Sequence, residues 1–243
     1  MNTPKVAIVT GSTSGIGKAI ASELAQQGVS VMINSHKSVA EGQAFAATLP
    51  DADYCQANLA NEDEVKHLVN ATLERFGKID IIVNNAAATS GRIPHDDLDA
   101  STDEIFQQLF QTNFMGTWYL CRAAMPYLQK SNDGCILNIS SIAGLRATGS
   151  SIPYSISKAA VNHLTLLLAN CVGPHVRVNA IAPGFILTPR TQEWPEARAY
   201  FHDNSSLQKV GQPGDIACLA LGIINSQFIT GQVITADGGF LLG

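Results

Sequence analysis

The sequence predicts an α/β protein, a doubly wound parallel sheet with helices on both faces, and three observations carry that reading. Short apolar, β-branched runs alternate with helix-length segments along the whole chain. The runs are too continuously apolar to leave one face wet, as expected of parallel strands covered on both sides. A glycine cluster directly after the first run puts a tight strand-to-helix turn where such sheets hold anions.

In chain order, strands are expected at Lys5–Thr10, Val29–Asn34, Ala52–Gln56, Ile79–Asn84, Cys135–Ser140, Val176–Ile181 and Val233–Ala236. Helices are expected at Ile16–Gln27, Asn61–Phe76, Thr102–Gln129, Tyr154–Cys171 and Gly214–Ile224. Asn61 followed by Glu64 reads as a capping box. Gly28 and Gly77 stand where helices should stop, and Pro213-Gly214-Asp215 opens the last long helix. The stretch from Gly184 to Gln212 has its own aromatics, Trp194, Tyr200 and Phe201, and little strand character, so it reads as a lid over a ligand at about residues 185–212.

With 243 residues, 46% of them hydrophobic and 14% charged, the chain suits one well-buried domain spanning 1–243. The first apolar run begins almost at Met1, leaving no room for a cleavable leader. The longest other apolar stretches, Ile216–Ile224 and Leu164–Ala169, fall short of the roughly 18 residues a bilayer requires. A cytoplasmic protein with no membrane span is expected. The 5 cysteines are scattered singly without a Cys-x-x-Cys pair, which argues against a disulfide framework or zinc cluster and predicts reduced core thiols. A net charge of −5 without a basic block excludes nucleic acid as a partner.

Thr10-Gly11-Ser12-Thr13-Ser14-Gly15-Ile16-Gly17 leads into the first helix. Glycines here let the backbone approach a pyrophosphate without a Cβ, while the helix N-terminus offers free N–H groups and a positive dipole end. At the end of the second strand the chain reads Asn34-Ser35-His36-Lys37-Ser38, and the nearest acid is Glu41. An acid there would accept from both ribose hydroxyls of NAD and repel the extra phosphate of NADP. NADP(H) is therefore favoured over NAD(H), with Ser35 and His36 or Lys37 donating to the 2′-phosphate.

Tyr154 and Lys158 stand four apart at the start of a helix, so both project from one face. An ammonium beside a phenol favours the phenolate and is expected to draw its pKa down from about 10, making it a proton donor or acceptor near neutrality. Ser140-Ser141, Asn84-Asn85-Ala86-Ala87 and Pro183-Gly184-Phe185-Ile186-Leu187-Thr188 each follow a strand, at the carboxyl edge where parallel sheets bind ligands. Arg146, His95 and His202 read as ordinary surface residues rather than contacts to an anionic substrate.

Together these motifs resemble the single-domain short-chain dehydrogenase/reductase family, including its 3-oxoacyl-carrier-protein reductase-like members. The match runs from the first strand to Asp237-Gly238-Gly239: Thr-Gly-x-x-x-Gly-Ile-Gly at 10–17, Asn-Asn-Ala at 84–86, Asn113, Ser141, Tyr154 with Lys158, and Pro-Gly at 183–184. The resemblance implies a seven-stranded sheet of order 3-2-1-4-5-6-7. It further implies an NAD(P)(H)-dependent oxidoreductase that interconverts a carbonyl and a secondary alcohol by hydride transfer, on a 3-oxoacyl thioester or another ketone, with no metal. The implied catalytic set is Asn113, Ser141, Tyr154 and Lys158: Ser141 and Tyr154 hold the substrate oxygen, Lys158 binds the nicotinamide ribose and lowers the Tyr154 pKa, and Asn113 holds a relay water. Cofactor contacts are implied at Gly11, Ser14, Gly15, Ile16, Gly17, Ser35, His36, Asn58, Leu59, Asn85, Ala86, Tyr154, Lys158, Pro183, Gly184, Ile186 and Thr188. The family also implies a homotetramer, or a homodimer, built on helices Thr112–Gln129 and Tyr154–Cys171. Leu164, Leu166, Leu167 and Leu168, apolar all round, fit a helix buried on both sides.

The chain departs from the family pattern in four places. Asn58 replaces an Asp that accepts from the adenine amino group, and Ala87 replaces a glycine. Leu168-Ala169-Asn170-Cys171 lacks a common glutamate, and the segment before Phe228 looks shorter than usual. The competing reading is a catalytically silent NAD(P)-binding regulator or scaffold. The intact Tyr154, Lys158, Ser141 and Asn113 weigh against it, because a sensor has no use for a proton relay.

Overall fold

A computed structural model describes residues 4–243. Its strands are β1 (Val6–Val9), β2 (Ser30–Ser35), β3 (Ala52–Gln56), β4 (Ile81–Asn84), β5 (Gly134–Ile139), β6 (Val176–Pro183) and β7 (Val233–Ala236). They form one 7-stranded sheet in the order β3-β2-β1-β4-β5-β6-β7, parallel at every pairing. The chain runs outward from β1 to β3, returns to β4 beside β1 and continues to β7. The reversal opens a crevice at the carboxyl ends of β1 and β4.

The central strands are buried on both faces, and the pleat sorts their side chains between two cores. Ala7, Val9, Ile81, Val83, Cys135 and Leu137 point to one side, where α1 (Gly15–Gln26), α2 (Val39–Ala46) and α8 (Pro213–Asn225) cover them. Ile8, Ile82 and Ile136 point to the other, under α3 (Glu62–Phe76), α5 (Gly116–Leu128) and α6 (Ile152–Val172). Burying both faces removes each strand's apolar surface from water at roughly 25 cal/mol per Å², which is why the runs read as continuous rather than alternating. Among the described residues, no helix is long and apolar enough to cross a membrane.

Helix ends follow the expected chemistry with one change of partner. Asn61 Oδ1 accepts from the N–H groups of Asp63 and Glu64 at 2.9 and 3.4 Å, but the Glu64 carboxylate reaches past Asn61 to accept from Asn58 N–H at 2.7 Å. Gly77 ends α3 in the left-handed region at φ 79°, and Gly28 follows α1 at φ 78°.

Four features differ from the sequence expectation. The segment after β2 forms α2, whose Gly42 lies so close to the Tyr54 ring that a Cβ would collide with it. Helix Thr102–Gln129 is split into α4 (Asp103–Phe110), a π turn at Gln111–Met115 and α5. The segment at 185–212 contains α7 (Pro195–Asn204), opened by Pro195. Its Phe201 stacks on Phe240 with centroids 4.2 Å apart and meets Phe185 at 5.5 Å, so these aromatics pack the segment onto the C-terminal turn. The cysteines also divide: Cys55, Cys121 and Cys135 are buried, whereas Cys171 and Cys218 are exposed rather than in the core, because they fall on the outer faces of α6 and α8. Burial pushes the Cys121 thiol up to about 12 and that of Cys135 to about 11, which leaves both inert at neutral pH.

Candidate active site

The glycine turn after β1 is held in shape by the loop after β4. Asn85 Nδ2 donates to the carbonyls of Thr10 and Gly11 at 2.8 and 3.0 Å, while Thr10 Oγ1 accepts from Asn85 N–H and Ala86 N–H at 3.0 and 3.1 Å. This close approach is the physical need for glycine. A Cβ on Gly11 would stand 2.9 Å from Ala86 Cα, and one on Gly17 would collide with Asn85 Nδ2 and the Gly11 carbonyl. Gly11 also has φ +60° and Gly15 φ +55°, a region L-residues avoid. Ser14 caps α1 in an extended conformation without spending its hydroxyl on the helix, and the first turn carries no acid. The result is an open N–H cradle with an uncompensated positive dipole end, which fits a dinucleotide pyrophosphate.

Flanking residues complete the crevice. Asn34 is fully buried and ties β2 to β3 and to the glycine turn, its Nδ2 donating to the carbonyls of Cys55 and Ala57 and its Oδ1 accepting from Gly11 N–H at 3.4 Å. Ser35 lies where expected, but its hydroxyl donates to the Ser38 carbonyl at 3.1 Å and is 2.9 Å from Tyr54 Oη. With its proton committed to Ser38, the Ser35 hydroxyl is not free to donate to a ligand, whereas His36 and Lys37 stand exposed. Asn58 Oδ1 accepts from Ala60 N–H at 3.1 Å, so one lone pair of the amide is already used. Leu59 is buried against Gly116, whose missing side chain lets α5 approach. At the far wall, Pro183 and Gly184 end β6, and Gly184 passes so near Asp237 that a Cβ would stand 2.9 Å from its Cα. Thr188 stands against Gly15 and pairs with Thr191, which also donates to the Ile186 carbonyl at 2.6 Å.

The reactive side chains come together beyond β5. Ser151 caps α6, its hydroxyl accepting from Tyr154 N–H at 3.3 Å, so Tyr154 and Lys158 occupy successive turns of one face. Ser141 follows β5 in extended backbone, its Oγ accepting from Ala143 N–H at 3.1 Å, and its hydroxyl is near enough to the Tyr154 phenol to favour the phenolate. Lys158 is 3% exposed; its Nζ donates to the Ile139 carbonyl at 2.8 Å and stands 5.8 Å from the Tyr154 ring centroid. Burial and, after it, the charge of Arg190 bring the Lys158 ammonium down from 10.5 to about 8.

The Tyr154 phenol departs from the sequence expectation. Burial pushes it above its ordinary value, and Ser141 together with the Arg190 charge only oppose the rise. The lowering expected from Lys158 does not dominate because the ammonium is turned to the Ile139 carbonyl.

Asn113 enters through the π turn, a device that often marks functional positions in helices. Its Oδ1 accepts from Ala88 N–H at 2.7 Å, and its Nδ2 donates to the Ala88 carbonyl and to Ser157 Oγ at 3.2 and 3.0 Å. Both of its Nδ2 protons are thus committed to joining the β4 loop to α6. A relay water would meet its main-chain carbonyl, which also accepts from Thr117 Oγ1.

Two of the three candidate contacts for an anionic substrate are already engaged. Arg146 donates to the carbonyls of Leu241 and Gly243, and His202 pairs with Asp203. His95 Nε2 is buried without a hydrogen-bond partner. Residues the sequence reading did not single out include Tyr54, Ser157, Thr191 and Arg190. Arg190, two places beyond Thr188, has no spacing rule that would have marked it.

The comparisons agree with this geometry. A family profile described as enoyl-(acyl carrier protein) reductase matches residues 11–241. Ketoacyl reductase 2 of the granaticin polyketide synthase from Streptomyces violaceoruber is 45% identical over 96% of this chain and 95% of its own. The 3-oxoacyl-[acyl-carrier-protein] reductase FabG of Thermotoga maritima is 34% identical over 98% of each. The crystal structure of a short-chain dehydrogenase/reductase from Burkholderia xenovorans superposes with a TM-score of 0.92 at 35% identity, covering 100% of both chains. By these matches the chain belongs to the short-chain dehydrogenase/reductase family and is an NAD(P)-dependent oxidoreductase acting between CH–OH and C=O groups.

Proposed function

We propose that the chain reduces a 3-oxoacyl thioester or a ketone of like shape, using NADPH, with Tyr154 as proton donor. The observation that carries the reading is the convergence of Tyr154, Ser141 and Lys158 at the carboxyl edge of β5, with Tyr154 and Lys158 on one face of α6. The thioester class is supported by the ketoacyl and 3-oxoacyl reductases among the relatives.

When bound, the nicotinamide supplies the hydride. Gly11, Ser14, Gly15, Ile16 and Gly17 would hold the pyrophosphate; Asn58 and Leu59 would face the adenine, and Asn85, Ala86, Pro183, Gly184, Ile186 and Thr188 would line the nicotinamide end. Ser141 and Tyr154 would grip the substrate oxygen, polarise the carbonyl and stabilise the charge that develops on it. Tyr154 would then pass its proton to that oxygen. Lys158 would hold the ribose hydroxyls and sustain the phenolate left behind. Asn113 would fix the β4 loop against α6 and offer its carbonyl to a relay water.

The preference for NADPH rests on His36 and Lys37 standing exposed beyond β2 with no carboxylate nearer than Glu41. The segment at 185–212 would serve as the substrate lid of a single domain. Leu166 and Leu167 are 45% and 53% exposed on α6, so the helix is buried on one side only within the chain. Their exposure supports a homotetramer or homodimer through α5 and α6, which sedimentation velocity would report as a species of two or four chains. The unpaired cysteines suit a reducing, cytoplasmic setting.

The deciding experiment titrates the protein with NADPH and NADH by fluorescence and then follows oxidation of NADPH over a panel of β-ketoesters, diketones and thioesters. Turnover with a higher kcat/KM for NADPH than for NADH is expected, with Tyr154→Phe retaining less than a few per cent. Substantial turnover by Tyr154→Phe would remove the tyrosine from its role, and failure to bind either nucleotide would remove the cofactor reading.

A further inference from the structure

The segment at 185–212 is pinned to its own side of the crevice: Leu187 N–H donates to the Gly211 carbonyl, Gly211 N–H to the Phe185 carbonyl, and Thr188 pairs with Thr191. Among the described residues, one hydrogen bond links this segment to the loop after β4. It is made by Arg190, whose guanidinium donates to the Ala87 carbonyl at 2.9 Å. The two loops leave the sheet from β4 and β6, on either side of β5, so the bond spans the space beyond the end of β5 where Ser141, Tyr154 and Lys158 stand. The neighbouring Ala88 is held by Asn113, and Asn113 by Ser157 of α6. A continuous set of contacts therefore runs from the lid through the β4 loop to the helix that carries the reactive pair.

We propose that Arg190 is a positioning residue of the reaction: it clasps the lid to the β4 loop and holds a permanent positive charge beside Tyr154 and Lys158. The inference rests on the reading of Tyr154 as proton donor. A guanidinium is not deprotonated in proteins and supplies five donors. One is spent on Ala87 in this arrangement, and the charge remains whatever the pH. It favours the phenolate that Tyr154 must become, against the rise that burial imposes on the phenol, and it adds to burial in disfavouring a charged Lys158.

Among the described residues, the charged groups Asp103, Glu104, Arg146 and Arg177 are exposed or paired elsewhere. On the elements packed around the pair, Asp103 and Glu104 lie exposed in the first turn of α4, and Arg177 of β6 is paired with Asp133. Arg146, in the turn after Ser141, is tied to Leu241 and Gly243. Cys135 of β5 is a buried neutral thiol, and the π turn carries no titratable side chain.

The test follows the Tyr154 Cζ resonance in protein labelled with 13C at tyrosine Cζ, assigned by its absence in Tyr154→Phe, through a pH titration. In Arg190→Gln, which keeps a donor but no charge, the phenol midpoint is expected to rise by about 0.5 pH unit, the size of effect an exposed unit charge has at short range. Arg190→Lys should hold the midpoint near that of the parent. An unmoved midpoint in Arg190→Gln, or an equal rise in Arg190→Lys, would overturn the proposal. Ethyl acetoacetate reduction supplies the functional arm: a roughly threefold or larger fall in kcat is expected for Arg190→Gln, and an unchanged kcat would equally overturn it. The premise is tested separately. If Tyr154→Phe keeps its turnover the proton-donor reading fails, whereas an inactive Tyr154→Phe with an unmoved Arg190→Gln midpoint defeats only the role of Arg190.

Discussion

Replacing Lys158 by methionine should make the protein more stable at neutral pH while destroying its activity. The side chain is 3% exposed, and burial brings its ammonium down from 10.5 to about 8. Each pKa unit corresponds to about 1.36 kcal/mol, so holding Lys158 charged in the folded protein costs about 3 kcal/mol at pH 7. Methionine fills a similar volume without a charge, but it leaves the Ile139 carbonyl without its 2.8 Å partner, a loss of about 1 kcal/mol. The net gain is about 2 kcal/mol, or a rise in Tm of about 4–8 °C for a chain of this size.

The pH dependence fixes the cause. A lysine whose folded pKa is depressed is bound by fewer protons in the native state than in the unfolded chain, so stability rises as pH climbs from about 8 towards 10.5. By about pH 9.5 the cost in the parent has fallen to about 1 kcal/mol, and the advantage of the variant should nearly vanish. Thermal unfolding of both proteins in the absence of nucleotide, at pH 7 and 9.5, makes the comparison. A lower Tm for Lys158→Met at pH 7, or a gap that stays constant with pH, would refute the reasoning. Such a variant would show a stable fold giving up stability to keep a functional charge buried.

Two further outcomes follow from the crevice. Gly17→Ala brings a Cβ into Asn85 Nδ2 and the Gly11 carbonyl; it should weaken NADPH binding at least tenfold by fluorescence titration, and unchanged affinity would show that the turn has room to spare. Lys37→Asp, at an exposed site where folding is undisturbed, should lower the ratio of NADPH to NADH kcat/KM by about 10–100-fold, since a charge-assisted bond becomes a repulsion. An unaltered ratio would place the 2′-phosphate elsewhere.

The sequence by itself determined the class of fold and the parts of the site that depend on local rules. Continuous apolar runs admit only strands buried on both faces, and the structure has those strands in the order the family resemblance implied. The glycine turn and the Tyr154–Lys158 spacing were legible because each is set by neighbours along the chain: a backbone that must turn, and two side chains one helical turn apart. What only the tertiary structure decided depends on partners distant in sequence. The helical pattern through Asn113 gives no sign of the π turn, which accompanies the capture of that side chain by Ala88 and Ser157. Gly42 weakens the local signal of α2, yet the helix forms because that glycine makes room for the Tyr54 ring. Ser35 looks like a free hydroxyl until Tyr54 and Ser38 are seen to occupy it. The direction of the Tyr154 shift also could not be read from spacing, because desolvation is set by everything that surrounds a group, and Arg190 reaches the pair only when β6 is laid beside β5, one strand from β4.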